Sequence, residues 1–204
     1  MTHRCFPYRL FALMRFWILG ILVLTSLPGA AQTPGTIVFS SEPIASGIPP
    51  QASPPVFSPP GTIYALATFS GPLQRLPITK RVTVSLKIFE KTPGGETFLD
   101  YYDIGLSGSS MLADSLPLEL APDPLKARSY SQPEWHFGSF GKKVDGPAAM
   151  CDILARLAPG RHLLVLRLEQ DYQPVASGEL VVEGADFGVY SQVAETLRQS
   201  RPRP

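Results

Sequence analysis

Past residue 31 the sequence holds two histidines, His136 and His162, and one cysteine, Cys151. Catalysis or metal binding would have to rest on these, helped by a few serines and carboxylates. His136 stands in the run Glu134-Trp135-His136-Phe137, where a strand would put Glu134 and His136 on one face. Two ligands fall short of the three or four that zinc takes. His162 follows Pro159-Gly160 at the head of an apolar run and reads as a strand residue. The sequence contains no His-Glu-x-x-His, no paired-cysteine motif, no calcium loop and no glycine-rich phosphate loop. Neither a metal nor a cofactor is expected.

The nucleophile candidates are no stronger. The serines between Gly105 and Ser110 lack the Gly-x-Ser-x-Gly spacing and read as a loop. Asp100 and Asp103 flank two tyrosines. Alternation puts Asp100 with Tyr102 on one strand face and Tyr101 with Asp103 on the other, so the carboxylates do not converge as an acid–base pair must. Cys151 adjoins the apolar stripe Met150, Ile153, Leu154 and Leu157, with no cationic cluster to activate a thiolate. It reads as a small buried hydrophobe. The pattern points away from an enzyme.

Aromatic residues are the remaining candidates: Tyr101, Tyr102, Tyr130, Trp135, Phe137 and Phe140. Exposed rings bind sugars and partner proteins, whereas a β-sandwich also buries a tryptophan in its core. The ligand-binding residues expected from this segment are Tyr130, Trp135, His136 and Phe137.

Short strands must position these groups. Val82, Val84, Leu86 and Ile88 alternate with Thr83, Ser85 and Lys87, the period of a half-buried strand. The turn formers of Glu90–Glu96 lead to a hairpin partner over Thr97–Ile104. Further strands are expected at Thr62–Phe69, Leu116–Leu120, Glu134–Phe140, His162–Leu168 and Gly178–Gly184. Thr36–Ser40 is a candidate edge strand. Two helices interrupt them. Pro147–Leu157 has Pro147 in its first turn and Asp145 as cap, and Val189–Ser200 is short and amphipathic. Seven or eight strands divided by Gly and Pro predict an all-β, immunoglobulin-like antiparallel β-sandwich with one inserted and one C-terminal helix.

The ends of the chain say where it goes. Arg4, Arg9 and Arg15 precede the apolar run Phe16–Leu27, and Gly29 and Ala31 are the small residues of a cleavage site. A signal peptide over 1–31 is expected, removed after Ala31, with translation starting at Met1 or Met14. Twelve apolar residues rise about 18 Å as a helix, short of a hydrocarbon core of about 30 Å. The chain beyond residue 31 has fifteen basic and seventeen acidic residues, which gives no electrostatic case for nucleic acid or an anionic membrane. The domain plan is a signal at 1–31, an arm with a Pro-rich linker at 32–60, a sandwich at 61–187, and a helix with a tail at 188–204. Seven of the twenty residues from Glu42 to Gly61 are proline, and proline lacks the N–H of a central strand.

The segment Leu157–Gly184 resembles the closing strands of secreted bacterial immunoglobulin-like domains. Asp171, Pro174, Val175 and Gly178 are similar to a pattern in the periplasmic copper-binding members of that class. Those proteins carry a histidine before the proline, where this chain has Gln173, and commonly a histidine at the mature N-terminus, where this one has Gln32. The resemblance therefore implies the fold and not the copper function. The stretch Glu169–Ser177 reads as a strand connection, with a binding loop as the alternative. Together these readings imply an exported, non-enzymatic sandwich, periplasmic or extracellular, that acts on a protein partner. The alternative is a small-ligand or carbohydrate-binding module using residues 130–140.

Overall fold

The alternation of Val82–Ile88 is realised in space. Val84, Leu86 and Ile88 are fully buried while Thr83, Ser85 and Lys87 face outward. The computed structural model describes residues 34–44, 52–71, 73, 82–123, 135–138 and 143–200. The strands are β1 (Gly35–Ser40), β2 (Val56–Phe57), β3 (Ile63–Thr68), β4 (Val82–Thr92), β5 (Gly95–Leu106), β6 (Ser115–Ala121), β7 (Trp135–Phe137), β8 (Lys143–Val144), β9 (Gly160–Gln170) and β10 (Gln173–Gly184). The helices are α1 (Gly146–Ala155) and α2 (Val189–Ser200), and a 3-10 turn covers Gly108–Met111.

The molecule is mostly β, a curled mixed sheet with two helices. The strand order is β6-β3-β1-β10-β9-β4-β5-β7-β8, with β2 beside β10. The expectation of a purely antiparallel arrangement is corrected by two parallel pairings. β1 runs parallel to β10 through Gly35–Ala176 and Thr36–Ser177, and β2 does so through Val56–Val181 and Phe57–Val182. Nor is β1 an edge strand, because its other side pairs with β3 along five residues.

The Pro-rich stretch is also more than a spacer. Proline lacks a donor but keeps its carbonyl, and the Pro55 carbonyl accepts from Val181 N at 2.8 Å. That bond docks the stretch on β10.

The core lies under β4, β5, β9 and β10 and is closed by β1, β3, β6 and the helices. Leu164, Leu166, Leu168, Leu180 and Val182 meet Ile37, Phe39, Ile63 and Ala65 there. Asp145 caps α1 as expected by accepting from Ala148 N at 3.0 Å, and Pro147 sits in the first turn. Helix α1 packs on β6, β5 and α2. Tyr190 of α2 donates from its hydroxyl to the Gly61 carbonyl at 3.0 Å.

Two local irregularities shape the outer surface. In the β4–β5 hairpin Ile88 pairs with Asp100 and Phe89 with Phe98, so Leu99 is an extra, bulged residue. The bulge reverses the facing of β5 on its far side. Tyr102 and Ile104 point to the core, as alternation requires, and Phe98 shares the outer face with Tyr101 and Asp103. The β9–β10 hairpin closes with the two residues Asp171 and Tyr172, at φ +50° and +64°. Two positive φ values make a type I′ turn, whose usual residues are Asn-Gly.

Candidate functional site

The outer face of β9, β4 and β5 carries an open groove of about 580 Å3. Its floor is polar. The Ser85 hydroxyl donates to Asp103 Oδ1 at 2.5 Å, and Lys87 Nζ is 2.5 Å from Glu169 Oε2. These pairs follow from register: Ser85 lies opposite both Asp103 and Glu169, and Lys87 opposite Tyr101 and Arg167. Strands pass such residues across the face as cross-strand neighbours.

The rings stand at the two ends. Phe89 and Phe98 meet edge to face at 5.6 Å, and Tyr101 adjoins Phe98 at 6.4 Å. The Arg167 guanidinium lies 4.7 Å over Phe89 while donating to Glu96 at 2.5 and 2.6 Å. At the other end the hairpin tip presents Tyr172. Tyr172 is 89% exposed and Phe98 51%.

The groove offers three carboxylates, Asp103, Glu169 and Asp171, and one ammonium, Lys87. Its lining contains no histidine or cysteine. The hydroxyl of Ser85 donates to a carboxylate and has no imidazole to activate it.

Of the residues expected from the sequence, His136 lies away from the groove, while Phe137 is the cross-strand neighbour of its lining residue Asp103. His136 is 6% exposed and packs edge-on against Tyr102 at 5.6 Å, beneath the start of α1. A Cβ on Gly146 would stand 2.8 Å from the His136 ring, so the fit is close. His136 is thus a buried neighbour of the core and not a surface platform. Trp135 and Phe137 belong to β7, opposite Gly105 and Asp103. Tyr130 lies outside the described residues. Tyr101 and Asp103 do share a face, as alternation foretold, but their partners Phe98 and Tyr172 were missed. The Leu99 bulge that turns Phe98 outward leaves no trace in a period-2 pattern, and Asp-Tyr is no turn signal.

His162 has acceptors at both ring nitrogens: Glu90 Oε1 at 2.7 Å from Nδ1 and the Ala158 carbonyl at 2.7 Å from Nε2. It also packs against Phe187. Among the described residues no three His, Cys, Asp or Glu side chains gather as a metal site would require. Cys151 is fully buried in α1, and burial, helped by the charges of Asp152 and Asp145, pushes its thiol up to about 12.

The four residues of the copper-protein resemblance each have a local task. Asp171 makes the turn, Pro174 and Val175 sit at a bulge in β10, and Gly178 passes close under Ile37. No family model matches the sequence, and comparison with curated proteins finds no match.

Proposed function

We propose that this chain is an exported, non-enzymatic immunoglobulin-like β-sandwich that binds a protein partner on the outer face of β9, β4 and β5. The strand order supports the fold reading. An immunoglobulin sandwich sets its first, second, fourth and fifth strands in one sheet and its third, sixth and seventh in the other, with two strands added beside the third in variable-type domains; among the described residues the fourth strand has no counterpart. Here β6-β3-β1 corresponds to the one sheet and β10-β9-β4-β5 to the other. The parallel contact of β1 with β10 joins them into a single curled path.

The observation that carries the function is a polar groove bracketed by the ring cluster Phe89, Phe98 and Tyr101 at one end and the exposed ring of Tyr172 at the other. Tyrosine and arginine are among the residues that dominate binding energy at protein interfaces, and this face holds Tyr101, Tyr172 and Arg167 beside Phe98. The copper reading gains nothing from the site. Gln173 stands where the histidine would be, and His162 is engaged at both nitrogens.

A photo-reactive benzoylphenylalanine in place of Phe98 tests the binding face. Light should yield an adduct of one defined mass that Tyr172→Gly abolishes, with none formed from the same probe at Glu195 on the exposed side of α2. Equal adducts from both positions would overturn the assignment. Export is tested by intact mass, for which the N-terminus should be Gln32. Among the described residues no helix is long and apolar enough to cross a membrane.

A further inference from the structure

The groove is unbalanced in charge. Asp103, Glu169 and Asp171 line it against one cation, Lys87. Glu169 takes up the Lys87 ammonium at 2.5 Å, and Asp103 is met by the neutral hydroxyl of Ser85. Two negative charges are therefore left on the lining, beside the rings of Phe98, Tyr101 and Tyr172. Ring faces and carboxylates together are what a guanidinium or ammonium group seeks.

The same face already holds one cation in this manner. Arg167 lies over Phe89 and donates to both oxygens of Glu96, so ring plus carboxylate already holds a cation on this face. Shape limits the occupant further. The lining runs along β4 from Thr83 to Phe89, about 20 Å at some 3.3 Å per residue. That length takes about six residues of extended chain.

We propose that the groove receives an extended, arginine- or lysine-bearing segment of a partner polypeptide, with one cation at Asp103 near the Tyr172 end and its far end over the Phe89 and Phe98 rings. This rests on the reading of the face as a binding surface. Tyr172 supports it from an independent direction. Glycine would fit that left-handed turn position better, and the exposed ring contributes little to the core.

The test uses the purified protein and three probes: the capped peptide Arg-Thr-Arg-Thr-Arg-Thr, its glutamate counterpart, and cellohexaose. Amide shifts followed by NMR should move at Ser85, Lys87, Tyr101 and Asp103 with the arginine peptide alone. Affinity should fall about tenfold in Asp103→Asn and in Tyr172→Gly, the loss of one charge-assisted or cation–ring contact. Glu183→Gln, at a surface ion pair with Arg161, should leave it unchanged. Tyr172→Gly should also raise the thermal midpoint, which separates lost binding from lost fold. Groove shifts from the glutamate peptide or from cellohexaose, without the arginine peptide, would overturn the cationic occupant and leave the binding face standing. Absence of groove shifts with all three probes would overturn both, as would arginine-peptide binding that Asp103→Asn does not weaken.

Discussion

At the scale of single residues, the structure separates side chains kept for the fold from those that are not. Tyr172 holds a left-handed backbone, which disfavours a non-glycine residue by about 1–2 kcal/mol. Glycine loses about 0.5–1 kcal/mol more on ordering than alanine does. Tyr172→Gly should therefore stabilise the protein by about 0.5–1 kcal/mol, read as a higher urea midpoint at unchanged slope. A lower midpoint would show that the ring is needed for folding.

Cys151 is the opposite case. Its folded thiol keeps its proton to about pH 12, while an ordinary thiol ionises near 9.0. Between those values the unfolded chain has lost a proton that the folded one still holds. This contribution is complete below pH 9 and is lost as pH rises toward 12. Tyr190, raised by burial and by the neighbouring Cys151, adds to the loss at still higher pH. Cys151→Ala should cost about 0.5–3 kcal/mol at neutral pH and flatten the decline that begins near pH 9. An unchanged alkaline profile would contradict the burial of the thiol. The burial of Cys151 was legible from its place beside a helical stripe. The position of Tyr172 was not, because the backbone angle there opposes the residue's own preference.

At the scale of elements, period and capping were legible and exceptions to period were not. Alternation placed β4, β9 and β10, and Asp145 with Pro147 marked the start of α1. The Leu99 bulge and the parallel seams depend on partners distant in sequence, so no local pattern announces them. Gly178 is where such a seam shows in the sequence. A Cβ there would stand 2.2 Å from the Ile37 carbonyl oxygen, a backbone atom that cannot swing aside. Gly178→Ala should destabilise by about 1–3 kcal/mol, as overpacking does. Hydrogen exchange should show the damage confined to β1 and its contact with β10, with amides of the β4–β5 hairpin still protected. Protection lost equally everywhere at low denaturant would mean that the β1–β10 seam and the β4–β5 hairpin open as one unit.

For the whole molecule, the boundary of the folded unit falls at Pro34, upstream of the proline-rich stretch. Starting the chain at Gly61 would delete β1 and β2, and with them Ile37, Phe39 and Phe57 from the core. A chain beginning at Pro34 should unfold in one cooperative transition at the stability of the longer protein. A chain beginning at Gly61 should lose most of its near-ultraviolet signal and bind a hydrophobic dye. Equal stability of the two would show the first strands to be dispensable. That the chain is mostly β was legible from strand count and turn spacing, whereas the mixed, curled sheet and the sharing of β1 between β3 and β10 were not. That sharing also sets an order of events. Gly35 and Ala176, partners in the seam, are about 140 residues apart, and contacts so distant are the slowest to form. A chain delivered N-terminus first presents β1 long before β10 exists. The β1–β10 seam therefore cannot close until β10 has emerged, however early β1 has paired with β3.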